Sequence, residues 1–266
     1  MTDEILPIEA IISAAREVGD AALGAWRHLR DGGDLDHWRK ADESLVSEVD
    51  IETDRRLKAI LGAVDPQAGW LSEESADHPD RLSRRRIWCV DPIDGTRDFL
   101  RGRAGWAVSI ALVEAGQPVL GVLYAPARDE CWVATRGQGA MLNGRAVQAG
   151  NRTSLPGARV PATSLPKIDA DLSMVDQPNS IALRMAMVAA DRADLVATLR
   201  WGFEWDVAAS ALIVAEAGAR VTDAFGAGLA FNTPRAQAFG VIACVPGIHD
   251  AVVERLSDRA QILVHQ

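Results

Sequence analysis

The chain is short of cysteine, of long apolar runs and of positive charge, and each shortage excludes something. Cys89, Cys131 and Cys244 are too few and too scattered for a disulfide framework. Each sits among apolar neighbours, so they read as reduced core residues of a cytoplasmic protein. No apolar run approaches the ~18 residues that a membrane span needs. The first residues, MTDEILPIEAIIS, are acidic and lack the basic region and apolar stretch of a secretory signal. Against 28 Lys and Arg stand 37 Asp and Glu, a net charge of −9. Such a chain is a poor general binder of nucleic acid or anionic membrane, and neither is expected as a partner. An anionic substrate would need local neutralisation, which a divalent metal usually supplies. The five histidines show no ligand spacing, and the eight tryptophans are scattered as core residues usually are.

What remains is ordinary globular sequence. Its 266 residues allow one large domain or two modest ones, without help from disulfides or a structural metal. Ile8, Ile11, Ile12, Ala15, Val18, Ala22, Trp26 and Leu29 space one face of a helix over 7–30, ended by Asp31-Gly32-Gly33-Asp34. A second helix is predicted over 49–64, its acidic face solvated apart from Asp50. Short strands follow at Trp70-Leu71 and Ile87–Val90. Two hairpins come next: 106–113 with 118–124, then 131–134 with 140–142. Asn143-Gly144 is a further turn. Prolines 156, 161, 166 and 178 punctuate an irregular stretch over 150–178. Helices are predicted at 180–190, 205–218 and 248–256, and a strand at 241–245. The mixture is α/β. Its expected division is an N-terminal α+β metal-binding part (1–145) and a C-terminal α/β part (146–266) completing the active site.

Four acidic places stand out, and each has a plain reading when taken alone. Asp91-Pro92-Ile93-Asp94-Gly95-Thr96 is a turn after a buried strand. It also lies where the open end of an α/β sheet builds its sites. Gly95 and Thr96 open a short helical stretch whose N–H groups could hold a phosphate. Glu73-Glu74 could be surface acids. Asp206 and Asp50 could be first-turn acids complementing helix dipoles. Together they form a set of oxygen ligands from several elements, which hard cations such as Mg²⁺ require. Two such ions could align an attacking water and stabilise a leaving oxygen.

Trp70-Leu71-Ser72-Glu73-Glu74-Ser75, Asp91-Pro92-Ile93-Asp94-Gly95-Thr96, Trp205-Asp206-Val207-Ala208-Ala209 and Ala215-Glu216-Ala217-Gly218-Ala219 occur in this order. The set resembles the inositol monophosphatase family of Mg²⁺-dependent, lithium-sensitive phosphatases, over nearly the whole chain. The resemblance implies a layered αβαβα sandwich, a homodimer and two or three Mg²⁺ ions. It makes Glu73, Asp91, the carbonyl of Ile93, Asp94 and Asp206 metal ligands. Asp50, Thr96 and Glu73 become the catalytic group that aligns and deprotonates a metal-activated water for in-line attack. Gly95, Thr96 and Ser180 become substrate contacts.

Within that family the segment Lys40–Asp50 is similar to the lysine-containing loop of bacterial 3'(2'),5'-bisphosphate nucleotidases. Leu71-Ser72-Glu73-Glu74, Arg97-Asp98-Phe99-Leu100, Tyr124-Ala125-Pro126 and Arg200-Trp201-Gly202 point the same way. Lys40 and Arg200 could then meet a second phosphate, or be ordinary solvated cations. The chain departs from the family over 143–180, which looks shortened, carries proline where a strand and a helix are usual, and has Asn179-Ser180 for a Gly-Ser or Gly-Thr pair. That region normally shapes the substrate side, so an inositol phosphate or another small sugar phosphate stays open as substrate. Two other classes compete. A haloacid-dehalogenase-like enzyme needs aspartates two positions apart, whereas Asp91 and Asp94 are three apart. A regulatory binding protein on a phosphatase scaffold would not need the complete ligand set.

Overall fold

The computed structural model describes residues 8–41 and 43–265. Helix α1 (Ile8–Arg30) turns Ile11, Ala15, Val18, Ala22 and Trp26 inward, the stripe its spacing predicts. A hairpin of β1 (His37–Arg39) and β2 (Leu45–Ser47) leads into α2 (Glu48–Val64). Then come β3 (Gly69–Ser72), β4 (Arg86–Asp94), the short helix α3 (Thr96–Leu100), β5 (Ala107–Glu114), β6 (Gln117–Ala125), β7 (Glu130–Thr135), β8 (Ala140–Leu142) and β9 (Arg145–Val147). Two small strands, β10 (Arg159–Pro161) and β11 (Ser173–Val175), precede α4 (Ile181–Ala189) and β12 (Leu195–Phe203). The chain ends with α5 (Glu204–Glu216), β13 (Arg220–Thr222), β14 (Gln237–Cys244) and α6 (His249–Leu263).

These elements stack in five layers. Strands β3 to β9 form one sheet in chain order, antiparallel except for β3 beside β4. One face packs on α1 and α2 through Trp88, Val90, Val108, Ile110 and Leu112. The other packs on α4 and α5 through Leu71, Cys89, Ala107, Ala111 and Leu123. Beyond α4 and α5 lies a second sheet, β12-β14-β13, with α6 on its far side. The architecture is the αβαβα sandwich. The boundary expected at 145/146 falls inside β9, and the largest core cluster takes side chains from both sides of it. Helix α5 lies directly on β6: a Cβ on Gly121 would stand 2.6 Å from the carbonyl oxygen of Ala209. Glycine at that position sets the height of α5, and with it the place of Asp206. No helix among the described residues is long and apolar enough to cross a membrane. All three cysteines are buried free thiols, and burial pushes Cys244 up to about 12.

Three sequence readings need correction. The acidic face of α2 is not solvated throughout: Asp54, one turn after Asp50, is buried and accepts from the hydroxyls of Ser72 and Ser75. Trp38 and Trp201 are exposed rather than core. The stretch 150–178 holds the parallel pair β10–β11, and β12 went unread. That strand mixes Ala, Thr, Leu and Arg, and a bulge between Thr198 and Trp201 breaks its alternation.

Asp194 ties the irregular segment to β12. It accepts from the backbone N–H of Arg159 (2.8 Å), from Arg159 Nη2 (2.7 Å) and from Arg152 Nε (3.0 Å). Burial alone would raise its pKa, but the bonds and charges of Arg159 and Arg152 outweigh that and hold it below the usual carboxylate range. Asp194→Asn is expected to cost about 2–3 kcal/mol in urea unfolding at pH 7. Because the folded pKa is depressed, the unfolded chain binds more protons and this stabilisation grows with pH. It is complete above the unfolded value of about 4 and is lost as pH falls through the folded one. The gap between wild type and variant should therefore close in acid; a gap independent of pH would show that the ion pairs are not its source.

Candidate active site

The site forms where β4 ends and two helices begin. Asp91 and Asp94 are three residues apart, which in a regular strand would put them on opposite faces. Yet Asp91 stands opposite Ser109 and Asp94 opposite Ala107, two residues apart on β5. The extra residue is a β-bulge, and it turns both carboxylates to the α4–α5 side. Asp94 meets the N-terminus of α4: it accepts from Ala182 N–H (2.8 Å), Ile181 N–H (3.3 Å) and the Ser180 hydroxyl. Asp206 occupies the third residue of α5 and accepts from Phe203 N–H at 3.4 Å. Two helix N-termini therefore converge on the acids and favour negative charge there.

Glu73 and Glu74 follow β3, the parallel neighbour of β4. Asp54 anchors this segment through Ser72 and Ser75. Lys40, from the β1–β2 hairpin, reaches over it and donates to Glu73 (3.0 Å) and Glu74 (2.7 Å). Asp50, the third residue of α2, accepts from Ser47 N–H (2.9 Å) and from the Thr96 hydroxyl (2.9 Å). The same hydroxyl lies 3.1 Å from the carbonyl oxygen of Ile93.

Burial and mutual repulsion dominate the electrostatics of these acids. Burial, then the charges of Glu73, Asp94 and Asp206, push Asp91 well above the usual carboxylate range. Burial, then Asp94 and Glu73, do the same to Asp206. Burial lifts Asp94 to about 6, against the hydrogen bonds from Ser180 and Ala182. It lifts Asp50 to about 6 and Glu74 to about 7, the latter with help from Glu73 and against Lys40. Acids that disfavour one another's ionisation in this way would be relieved by a positive charge between them. Their donors are all oxygen, which suits a hard ion such as Mg²⁺. Among the described residues no three acidic, histidine or cysteine side chains already close around one point. The bonds above give the reason: Glu73 is turned to Lys40, and Asp94 to the start of α4. The donor set fits a divalent cation.

The inositol monophosphatase family model matches residues 6–257. A Nus factor SuhB of Xylella fastidiosa is 34% identical over 252 residues, covering 89% of this chain and 87% of that protein. An inositol-1-monophosphatase of Mesorhizobium japonicum is 36% identical over 230 residues, covering 77% and 84%. A solved inositol monophosphatase from Thermotoga maritima superposes with a TM-score of 0.82 at 29% identity, covering 96% and 98%.

The chain belongs to the inositol monophosphatase family.

Members of the inositol monophosphatase family hydrolyse phosphate monoesters with the help of a metal, and this chain is a phosphatase of that type. Of the residues singled out in the sequence, Asp91, Asp94, Asp206 and Glu73 interact electrostatically as one group, and Asp50 and Thr96 join it through their mutual bond. Ile93 and Gly95 lie between the two aspartates and the threonine. Ser180 is fully buried, its hydroxyl committed to Asp94 and to Leu183 N–H, so it reaches the site through Asp94. Lys40 and Arg200 are not brought together by any described contact. Lys40 is held by the glutamates, while Arg200 shares a cavity of about 30 Å³ with Thr198 and Asp206. Sequence reasoning missed Asp54, Asp98 and Arg184. Asp98 accepts from Asn179 N–H (3.0 Å) and so fixes the approach to Ser180. For Asp54 a signal existed: it lies four residues from Asp50 and in helical register with the buried Leu57 and Leu61.

Proposed function

We propose that this family member is a 3'(2'),5'-bisphosphate nucleotidase, releasing one phosphate from 3'-phosphoadenosine 5'-phosphate. The observation that carries the reading is Arg200: an exposed arginine without a described hydrogen bond or ion pair, lining the same small cavity as Asp206. A monophosphate would leave it idle, whereas a bisphosphate gives it a partner. A second reading, hydrolysis of inositol 1-phosphate, is favoured by the name of the Mesorhizobium relative. Homodimerisation, a cytoplasmic setting and two or three Mg²⁺ ions belong to the same proposal, with small phosphorylated metabolites rather than nucleic acid or membrane as partners.

Glu73, Asp91, Asp94, Asp206 and the Ile93 carbonyl would hold the ions. Bound Mg²⁺ supplies neutralisation of phosphate charge and a more acidic water. The chain's own residues do the rest. Thr96 has one hydroxyl proton and two acceptors, Asp50 and the Ile93 carbonyl. With that carbonyl otherwise engaged, the proton goes to Asp50. The Thr96 lone pairs then accept from an attacking water and orient it. Asp50, fixed by Ser47 at the start of α2, is the terminal acceptor, and burial gives it a basicity closer to neutrality than an exposed aspartate has. Gly95 and Thr96 N–H groups, at the first turn of α3, cradle the phosphate. Positioning and charge neutralisation are what phosphoryl transfer chiefly demands.

The test is phosphate release from 3'-phosphoadenosine 5'-phosphate and from inositol 1-phosphate, each with Mg²⁺ and with EDTA. The expected result is strong preference for the nucleotide and abolition by EDTA. Preference for inositol 1-phosphate would establish the second reading, and activity in EDTA would remove the metal from both.

A further inference from the structure

Glu73 and Asp206 come from segments far apart in the chain, and a buried set of polar groups joins those segments. Arg81 lies in the short helical stretch Pro79–Ser83, which closes the segment carrying Glu73, and it is buried. Its Nε and Nη2 donate to the two carboxylate oxygens of Asp77 (2.6 and 2.8 Å). Nη1 donates to Asn232 Oδ1 (2.7 Å), and Nη2 also to the carbonyl oxygen of Thr233 (3.0 Å). Asn232 Nδ2 donates back to the carbonyl oxygen of Arg81 (3.1 Å). The other side of the same turn faces Glu204. The N–H groups of Asn232 (2.6 Å) and Thr233 (2.9 Å) and the Thr233 hydroxyl (2.5 Å) donate to its carboxylate. Glu204 is the first residue of α5 and is buried, and its own N–H donates to the carbonyl oxygen of Ala236 (2.9 Å). Asp206 stands two residues further on.

Arg81 pairs its charge with Asp77 and is linked to Glu204 through residues 232 and 233. The loop after β3, the turn before β14 and the start of α5 are thereby fastened to one another, and a buried network with its members paired is rigid. Asp54 holds the near end of the Glu73 segment through Ser72 and Ser75; Arg81 holds the far end. We propose that Arg81, Asn232 and Glu204 are positioning residues that set the separation of Glu73 from Asp206, and with it the size of cation these acids accept. The inference rests on the ligand roles proposed for Glu73 and Asp206 and is the same for a nucleotide or an inositol phosphate. Mg²⁺ demands near-octahedral oxygens at about 2.0–2.1 Å, whereas Ca²⁺ takes six to eight at about 2.3–2.6 Å in looser geometry. Slackening the frame therefore costs Mg²⁺ more than Ca²⁺. Arginine suits the task because its planar fork fixes several acceptors in one plane, which a lysine cannot do.

The test titrates the metal-free protein with Mg²⁺ and with Ca²⁺ by calorimetry, and reads Tm in EDTA alongside. Asn232→Gly cuts both side-chain bonds to Arg81, and glycine accepts the φ of +57° found there. Arg81→Lys keeps the charge and loses the fork. Each should raise the Kd for Mg²⁺ about 10-fold or more and that for Ca²⁺ by less than about 3-fold, so the preference for the smaller ion falls. Asn232 is only half-buried, so its variant keeps the test sound even where Arg81→Lys fails to fold. Equal weakening of both ions, or a lower Tm with both affinities unchanged, would overturn the positioning role and leave the network a plain support of the fold. Asp206→Asn is the reference. If it alone weakens Mg²⁺ binding, the positioning role fails and the ligand assignment stands. If it leaves Mg²⁺ binding intact, the ligand assignment fails and the positioning role with it.

Discussion

Asp94→Asn is expected to lower kcat for phosphate release by about a thousandfold or more, because it removes charge at the point where two helices and the sheet meet. Asp94 now receives two donors on one oxygen, from Ser180 and Ala182, and a longer bond from Ile181 on the other. Asparagine can keep its carbonyl oxygen toward Ala182 only by setting its amide against the Ile181 N–H, a donor facing a donor, and it brings no negative charge to a cation. The half-saturating Mg²⁺ concentration should rise as well. Stability should move the other way. In the metal-free protein Asp94 raises the pKa of both Asp91 and Asp206. Removing its charge relieves that repulsion, so the Tm of the metal-free variant should be at or above that of wild type. Added Mg²⁺, which should stabilise wild type by about 2.7 kcal/mol at a hundred times its Kd, should stabilise the variant much less. Near-wild-type turnover, or an unchanged response of Tm to Mg²⁺, would remove Asp94 from the metal site.

Much of this was legible in the sequence because the chemistry sits on short, punctuated stretches. The acids Glu73, Asp91, Asp94 and Asp206 follow β3, end β4 and open α5, and Gly, Pro and apolar runs marked each of those boundaries. Helix α1 and the hairpin of β5 and β6 were equally plain, since their apolar spacing follows one period. What stayed hidden depends on contacts between distant segments. Nothing local says that Ser72 and Ser75 point at Asp54, or that Asn179 is fixed by Asp98. Arg184 lies in an apolar helix where a lone arginine looks like a surface interruption. Only the fold shows it anchored to two backbone carbonyls beside the acids. Strand β12 was lost for a different reason. Its bulge shifts the inward phase halfway along, so neither a period of two nor a continuous apolar run describes it. The Asp91–Asp94 spacing shows the reverse case. A bulge there makes a three-residue separation serve one face, and the motif carries it openly as Asp-Pro-Ile-Asp.

Gly95→Ala should be nearly as damaging as loss of a carboxylate, by a different route. Gly95 has φ of +99°, a conformation that costs an L-residue about 1–2 kcal/mol. Its surroundings add more. A Cβ there would stand 2.6 Å from the carbonyl oxygen of Gly105, 3.0 Å from the backbone N of Ser180 and 3.1 Å from Cα of Trp106. All three are backbone atoms, so no side chain can swing aside. Overpacking of this kind costs about another 1–3 kcal/mol, which together should lower Tm by roughly 5–15 °C in a chain of this size. The methyl group would also wedge into the bond from Ser180 N–H to the Gly105 carbonyl (2.8 Å). Ser180 would carry its hydroxyl away from Asp94, and Thr96 would move against Asp50. Turnover should therefore fall even at temperatures where the variant is fully folded. Gly218→Ala is the matched control. Gly218 also has a positive φ, +84°, but a Cβ there meets nothing within 4 Å. It should show the conformational cost alone and leave turnover intact. Equal losses of Tm and kcat in the two variants would mean that the close approach around Gly95 is not what holds Asp94, Ser180 and Thr96 in place.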